Sequence, residues 1–312
     1  MNDVIAMRDA FIEKLYDFAK QDRNTILVSA DMGAPSLERY RRDFSSQYVN
    51  VGVAEQSMIM VAVGLALAGK KVFTFSIGPF ATARCFEFTK VDIILMNLPV
   101  TIIGVGAGFS YDGDGPTHYA TEDISIMRAL PNIQIFSPCD SIAAAECAYL
   151  AYKSSSPTYV RLDRQIVPDI YTPSESFDLG FKELSSGNDI CIVATANMVH
   201  SALAVSKRFV QKGSNIGVID LFRLKPIGEE FKKVIAKYKT IVSLEEHLLD
   251  GGMGSIIAEI ITDERLPIIL KRFGLSRYVY AYGRKNIQKL CGIDEDSVTS
   301  AIEDLQQTVI SG

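Results

Sequence analysis

The chain has 312 residues, of which 48% are hydrophobic and 22% charged, a balance typical of a soluble protein that buries the cores of two ordinary domains. Its formal net charge of −5 comes from interspersed acids and bases, which argues against a nucleic-acid partner. The apolar run at residues 58–69 is too short to span a bilayer, and the amino terminus lacks a signal-peptide pattern, so we expect no membrane partner.

In the first half of the chain, short runs rich in valine and isoleucine alternate with longer segments of helical period. This pattern predicts a parallel sheet flanked by helices, which is an α/β fold. The predicted helices cover residues 3–21, 55–68, 79–95, 121–129 and 141–153. The predicted strands cover residues 25–31, 48–53, 71–76, 100–105, 133–137 and 158–162.

The segment 163–180 breaks this rhythm with Pro168 and Pro173, which indicates an interdomain linker. Beyond it, the predicted strands cover residues 189–196, 215–221 and 240–246. The helices that follow are predicted over residues 198–212, 228–237, 253–262 and 296–309. We therefore predict two domains, each a mainly parallel sheet flanked by helices, over residues 1–165 and 187–312, with residues 166–186 as the linker.

The five cysteines are widely spaced, odd in number and placed inside apolar stretches. This usage is typical of reduced core thiols, so it predicts a cytoplasmic protein.

Glu55 opens an otherwise apolar helix just after the predicted strand at residues 48–53. A carboxylate in the first turn of a helix is stabilised by the helix dipole, which is a sufficient structural explanation for its presence. The following sequence MIMVAVGLALA leaves the helix almost no polar face, however, so we expect both the helix and Glu55 to be buried. A buried carboxyl group needs a partner, which makes Glu55 a candidate for chemistry.

Aromatic and polar residues follow the next two strands of the sheet. Phe80 and Phe86 come after the strand at residues 71–76, where they form either part of the core or a stacking surface for a flat heterocycle. The glycine-rich loop (residues 106–120) holds Asp114 and His118. Because ligands bind at the carboxyl ends of parallel strands, this convergence predicts a binding site at one edge of the sheet.

Six motifs in this order resemble the C-terminal half of transketolase, which consists of a pyrimidine-binding domain and a C-terminal domain. They are SADMGAPS (29–36), GVAEQ (52–56), FATARCFEF (80–88), DGPTH (114–118), RLDRQ (161–165) and EEHLLDGGMG (245–254). The resemblance covers nearly the whole chain and implies a transferase that moves a two-carbon ketol unit between sugars. It also implies thiamine diphosphate as the cofactor.

The resemblance assigns cofactor roles to five residues. Glu55 is expected to bond the pyrimidine ring nitrogen and activate the neighbouring amine, which makes it a catalytic residue. Phe80 is expected to stack on the pyrimidine, with Phe86 lining the same pocket. Asp31 and Met32 are expected near the thiazolium ring.

The resemblance assigns substrate roles to four further positions. Asp114 and His118 are expected to contact the sugar hydroxyls, and His118 is also a candidate for acid–base catalysis. Arg164 is expected to bind the phosphate or terminal hydroxyl of the substrate. Ser36 is a weaker candidate on the phosphate side, because its loop is one residue longer than the family's.

A full transketolase also has a diphosphate-binding domain with a GDG motif and a downstream asparagine that complete a metal site. The GDG at residues 113–115 is not that motif, because Asn132 follows a proline at the start of a strand. We therefore expect no metal ligands in this chain. The resemblance implies a split enzyme in which a partner subunit supplies the diphosphate site and a Mg or Ca ion, within an α2β2 assembly.

Two departures from the family concern the substrate. Gly106 stands where the family commonly has a histidine, in a segment to which Phe109 and Tyr111 add bulk. The family's phosphate-binding loop in the C-terminal domain is replaced by YGRKNIQKL (282–290). The exchange of ordinary pentose phosphates is therefore less secure than thiamine chemistry in general, and a modified or nucleotide-linked sugar as donor or acceptor is a hypothesis.

Three alternatives stay open at this stage. A deoxyxylulose-phosphate synthase shares the DGPTH-like and arginine features but has a longer chain. The β subunit of a 2-oxoacid dehydrogenase normally lacks the aspartate–histidine loop. A non-catalytic partner protein of the same fold is the alternative outside enzyme chemistry.

Overall fold

The computed structural model describes residues 4–311, with side chains to residue 306. Its strands are β1 (Thr25–Ser29), β2 (Tyr48–Asn50), β3 (Lys71–Ile77), β4 (Val100–Val105), β5 (Gln134–Phe136), β6 (Thr158–Leu162), β7 (Phe181–Ser185), β8 (Ile190–Ala194), β9 (Gly217–Leu221), β10 (Arg223–Lys225), β11 (Thr240–Leu248) and β12 (Ile269–Leu275). They form two sheets in the orders β10-β5-β6-β4-β3-β1-β2 and β12-β11-β8-β9-β7. All neighbouring strands are parallel except β10 with β5 and β7 with β9.

The helices lie on both faces of these sheets. They are α1 (Met7–Gln21), α2 (Pro35–Asp43), α3 (Glu55–Leu67), α4 (Gly78–Ala81), α5 (Phe86–Phe88), α6 (Asp123–Arg128), α7 (Ser141–Lys153), α8 (Met198–Gln211), α9 (Glu229–Ile235), α10 (Met253–Asp263), α11 (Arg284–Leu290) and α12 (Glu295–Ser311). Alternate residues of the first sheet point to opposite faces. Val28 and Ile102 pack in one core cluster with α3, whereas Phe73 and Phe75 pack in another with α1 and α7.

The predicted fold class is confirmed, with differences in three regions. The prediction of one continuous helix over residues 79–95 is wrong. The segment is instead divided into four short pieces, which are α4, a 3₁₀ turn, α5 and a π-helical turn. The Thr82 hydroxyl donates to the carbonyl of Gly78 at 2.7 Å, a contact that bends helices. Strand β7 lies within the segment predicted as linker. The helix predicted from residue 3 begins at Met7, and residue 3 lies outside the described residues.

The sequence pattern did not predict five elements, because they are either polar helices or strands at the edges of the sheets. They are α2, β7, β10, β12 and α11. The short strand β10 leaves the second half of the chain and pairs with β5 of the first sheet. The two halves of the chain are therefore joined by backbone hydrogen bonds as well as by side chains.

The first sheet brings the predicted site residues to one edge. Its neighbouring strands β4, β3 and β1 end at Val105, Ile77 and Ser29, and their following loops share that edge. The glycine-rich loop begins there, directly after β4.

Candidate functional site

Glu55 lies at the first position of α3 and is 4% exposed, so its predicted burial is confirmed. Its Oε2 atom accepts a hydrogen bond from Nη1 of Arg84 at 2.6 Å. This ion pair supplies the partner that a buried carboxylate requires. Arg84 was not predicted as a site residue, although it lies within the quoted aromatic motif.

Arg84 also contacts the predicted stacking ring. The centre of its guanidinium lies 4.1 Å from the centroid of the Phe80 ring, and the Arg84 side chain is 44% exposed. A flat nitrogen-bearing group therefore fits against Phe80 while pairing with Glu55. An aminopyrimidine presents the same chemistry, so these residues fit the cofactor that the resemblance implies.

Phe86 contacts the core cluster beside α3. It is half-buried and packs against the hydrophobic cluster that contains Met58 and Ile59 of α3. Its predicted place in the lining of the cofactor site stays a prediction.

His118 continues the row of side chains that begins at Glu55. Its ring meets the Phe80 ring edge-on, with 5.2 Å between centroids. Its Nδ1 atom lies 2.9 Å from the Thr117 hydroxyl, which orients the imidazole. Asp114 is exposed in the same loop, and its backbone N–H donates to the carbonyl of Tyr111 at 2.9 Å.

Arg164 lies at the far end of this row. Its guanidinium centre is 4.4 Å from the Tyr111 ring centroid, and its Nε donates to the carbonyl oxygen of Ser110 at 3.2 Å. The Tyr111 ring lies 6.1 Å from that of His118. Burial raises the pKa of Tyr111, so its hydroxyl stays protonated. Glu55, Phe80, His118 and Arg164 thus share one edge of the sheet.

Asp31, Met32 and Ser36 lie after β1 at the same edge. Asp31 has a φ of 55° and exchanges hydrogen bonds with the side chain of Asn50 at 3.1 and 3.0 Å. Met32 is half-buried beside it. The buried Ser36 donates its hydroxyl proton to Asp9 of α1 at 2.8 Å, so its oxygen is held by another helix.

Two charged residues of the second domain hold the glycine-rich loop. Arg284, which is 7% exposed, donates to both carboxylate oxygens of Glu246 at 2.9 and 2.6 Å. Arg284 also pairs with Asp163 at 2.6 Å, and Asp163 accepts the Ser110 hydroxyl at 2.6 Å. We call Arg284, Glu246 and Asp163 the interdomain clamp.

The clamp reaches the loop through backbone atoms as well. Glu246 Oε2 accepts the N–H of Phe109 at 3.0 Å, and Asp112 accepts the N–H of Arg284 at 2.8 Å. Neither Arg284 nor Glu246 was predicted to have a role in the site. The EEHLLDGGMG motif was the available signal for Glu246.

Cys85 is the thiol closest in sequence to Arg84, and it is fully buried. Burial raises its pKa to about 12, so it does not supply a thiolate at neutral pH. All five cysteines are unpaired, as predicted. Within residues 4–306, no group of three His, Cys, Asp or Glu side chains is arranged to hold a metal ion.

The arrangement defines a two-domain α/β protein in which a buried carboxylate, an aromatic ring and an imidazole converge at one strand edge. Comparisons with known proteins give the class a name. Residues 3–169 match the transketolase pyrimidine-binding domain, and residues 181–298 match the transketolase C-terminal domain.

Relatives and solved structures agree with this assignment. The chain is 32% identical to one of the subunits of an apulose-4-phosphate transketolase from Actinobacillus succinogenes, over 96% of this chain and 97% of that one. It is 33% identical to a 6-deoxy-6-sulfo-D-fructose transketolase subunit from a Clostridium species, over 86% of this chain and 84% of that one. A split-gene transketolase solved as an inactive beta4 tetramer superimposes with a TM-score of 0.87 at 30% identity, covering 97% of this chain and 98% of that one.

The chain belongs to the transketolase family. Its predicted resemblance to the pyrimidine-binding and C-terminal half, and its predicted class of transketolase-type transferase, are confirmed. Membership of this family implies the use of thiamine diphosphate. No helix between residues 4 and 311 has the length and apolarity to cross a membrane.

Proposed function

We propose that this chain is the subunit of a split transketolase that carries the activating glutamate and the sugar-facing loop. Together with a partner subunit, it would transfer a two-carbon ketol unit from a ketose donor to an acceptor sugar. The observation that carries this proposal is the buried Glu55, paired with Arg84 at the strand edge that also holds Phe80 and His118.

The chain's residues would act on the cofactor in distinct ways. Thiamine diphosphate supplies a carbon nucleophile that accepts the ketol unit. Glu55, whose Oε2 atom accepts a hydrogen bond from Arg84 in this structure, would bond the pyrimidine nitrogen through its carboxyl group. Burial keeps that interaction strong, because little water screens it. Phe80 would stack on the pyrimidine, and Asp31 and Met32 would lie near the thiazolium.

His118 and Asp114 would bind and orient the sugar hydroxyls. His118 has its imidazole fixed between Thr117 and Phe80, so it can hold or move a proton at a hydroxyl oxygen of the substrate. Asp114 is exposed and would accept a hydrogen bond from a neighbouring hydroxyl.

Arg164 would bind the far end of the donor. Its guanidinium is oriented by Ser110 and Tyr111 and remains exposed, which suits a terminal anion. The names of two relatives specify a phosphate or a sulfo group on the sugar, which supports a donor with a terminal oxyanion. Ser36 remains a weak second candidate for that end.

An exposed apolar surface supports assembly with other subunits. Met60 and Leu67 are 44% and 60% exposed on α3, and Leu95 is 71% exposed on the segment packed beside it. Helix α3, expected to be buried, is therefore covered by this chain on one side only. Exposed apolar area of this kind is typical of subunit interfaces.

We therefore propose that the chain self-associates within an α2β2 enzyme with two sites. The partner subunit would supply the diphosphate-binding domain and the Mg or Ca ion. The structural relative composed of beta subunits is an inactive tetramer, which agrees with a requirement for both kinds of subunit. We further propose a cytoplasmic location.

The test mixes this chain with a polypeptide that carries a transketolase diphosphate-binding domain from the same organism. We expect thiamine diphosphate binding and ketol transfer in the mixture and neither with the separate chains. The donors should include a ketose phosphate, a sulfo-ketose, a nucleotide-linked sugar and an uncharged ketose. Tight binding of the cofactor and metal by this chain alone would contradict the split-site proposal.

A further inference from the structure

Gly106 and Tyr111 form an interlocking pair in the glycine-rich loop. Gly106 has a φ of 101°, which side chains strongly disfavour. A Cβ atom at this position would lie 2.3 Å from Cδ2 and from Cε2 of the Tyr111 ring. The ring therefore fills the space that any side chain at residue 106 would occupy.

The Tyr111 ring is held firmly in this place. It is buried within the cluster that also contains Val105 and Leu162, at the ends of β4 and β6. The N–H of Gly106 donates to the carbonyl of Leu162 at 2.7 Å, which fixes the backbone below the ring. The ring cannot swing aside without opening a cavity in the core.

The same ring carries the guanidinium of Arg164. Its centre is 4.4 Å from the ring centroid, and the Nε atom is tied to Ser110. A cation stacked on an aromatic face is stabilised by the ring's negative quadrupole. Arg164 is exposed, so its guanidinium is accessible to solvent and to a ligand.

Tyr111 also occupies a particular place along the site. The centroid of its ring lies 6.1 Å from that of His118 on one side and 4.4 Å from the guanidinium centre of Arg164 on the other. His118 would bind hydroxyls close to the reacting carbon, and Arg164 would bind the distal end of the donor. The Tyr111 ring therefore borders the path of the distal carbons.

We propose that Tyr111, seated over Gly106, is the specificity-determining residue of the donor site. It closes the space above Gly106 and presents Arg164 to one compact oxyanion at the distal end of the ketose. Substrate selection therefore depends on the ring face and a single guanidinium. This inference rests on the proposed function, because the donor site belongs to the same ketol-transfer reaction.

The first test measures anion binding by the full chain without turnover. The Nε–H signal of Arg164, assigned with an Arg164→Lys variant, is followed by NMR during titration with inorganic phosphate and, separately, with methanesulfonate. Tyr111→Leu should weaken binding about fivefold, because Arg164 loses its stacking surface. Tyr111→Phe should restore it to within about twofold, since the ring face is kept. Comparing the two anions distinguishes a phosphate donor from a sulfonate donor.

Gly106→Ala supplies an independent variant. Its methyl group must displace the Tyr111 ring, so we expect a loss of anion binding similar to that of Tyr111→Leu. In the double variant Gly106→Ala/Tyr111→Leu the two losses should not add, because the displaced ring is already gone. Tyr149→Leu is the matched control. Tyr149 on α7 also has a cation over its ring, with Lys153 Nζ 5.7 Å from the ring centroid, but it lies outside the candidate site.

The second test uses the assembled enzyme. We expect Tyr111→Leu to reduce the ratio of kcat/KM for a ketose phosphate to that for the unphosphorylated ketose by about fivefold. A purely structural role would lower both values together. Unchanged anion binding in both Tyr111→Leu and Gly106→Ala, with circular dichroism confirming folded proteins, would overturn the inference.

The two proposals fail separately. If the assembled wild type transfers no ketol unit from any donor, the proposed function is contradicted, while the anion titration still tests Tyr111. If Tyr111→Phe binds anions as poorly as Tyr111→Leu, the phenolic hydroxyl rather than the ring face is responsible, and the stacking assignment is wrong.

Discussion

The carboxyl edges of the two sheets differ in how far the partners of their buried acidic residues are exposed to solvent. At the first edge, Glu55 pairs with the partly exposed Arg84, and Asp114 is exposed. At the second edge, Glu245 and Glu246 follow one another at the end of β11 and are both buried. Glu245 accepts the N–H groups of Met253 and Gly254 at 2.7 Å each, at the start of α10.

The difference shows how one architecture serves two purposes. Open α/β sheets bind ligands at their carboxyl edges. The second sheet uses that edge internally, because Glu246 and Arg284 bind the glycine-rich loop of the first domain there. Under the proposed function the first edge would perform the chemistry, whereas the second edge holds the glycine-rich loop in place.

The largest expected effect is on catalysis at the first edge. Glu55→Ala in the assembled enzyme should lower kcat about a thousandfold, because the pyrimidine nitrogen loses its acidic partner. The protein should remain folded, since the change truncates a side chain at the start of a helix. Turnover and melting temperature are measured on the same preparation, with the exposed Glu87→Ala as control. Near-normal turnover would remove Glu55 from the mechanism.

The next effect concerns the interdomain clamp. Arg284→Met should lower the free energy of unfolding by about 3 kcal/mol, because Glu246 and Asp163 stay buried without their cation. Urea denaturation measures the change. Arg39→Met removes an exposed pair with Glu13 and a contact with the Tyr16 ring, so it should lower the free energy of unfolding by less than about 1 kcal/mol. Equal stability of the two variants would contradict the contrast between the edges.

The sequence was sufficient to predict the first edge but not the second. Glu55, Phe80 and His118 follow consecutive strands, so local pattern and strand order bring them together. The Glu246–Arg284 pair joins a strand end to a helix missed in the sequence, and it closes on a loop more than a hundred residues earlier. Local periodicity contains no information about such a contact.

Arg84 and Ser36 illustrate the same limit within the first edge. Arg84 belongs to a segment predicted as one regular helix, but the broken helix there places it over Phe80. Ser36 was selected from its motif, and the structure directs its hydroxyl toward α1. Both residues lie within motifs that the sequence identifies. The direction of each side chain, however, is set by tertiary contacts that the motifs do not contain.

A smaller effect concerns how the free energy of unfolding depends on pH at the second edge. Burial raises the pKa of Glu245 to about 7 from an ordinary value of 4.5. The folded state therefore holds this proton more tightly than the unfolded state, so the stabilisation is complete below pH 4.5 and is lost as the pH rises through about 7. Glu245→Gln should remove this dependence.

Unfolding free energies measured from pH 4 to 8 test this expectation. The variant should gain roughly 1–3 kcal/mol relative to wild type across that interval. Glu230→Gln on the exposed side of α9 serves as control. A constant difference between Glu245→Gln and wild type at every pH would show that this carboxyl group titrates as an ordinary one.

The smallest expected effect tests whether the substrate site at the first edge extends to Ser36. Ser36→Ala removes a hydroxyl that is bonded to Asp9, so it should cost about 1 kcal/mol of unfolding free energy. The KM for the donor should change less than about twofold, because the lost hydrogen bond is to α1 rather than to a ligand. Ser276→Ala, at an exposed position, controls for loss of a serine hydroxyl. A tenfold rise in KM without loss of stability would instead extend the anion-binding end of the site from Arg164 to Ser36, and Asp9 would then act by orienting that hydroxyl.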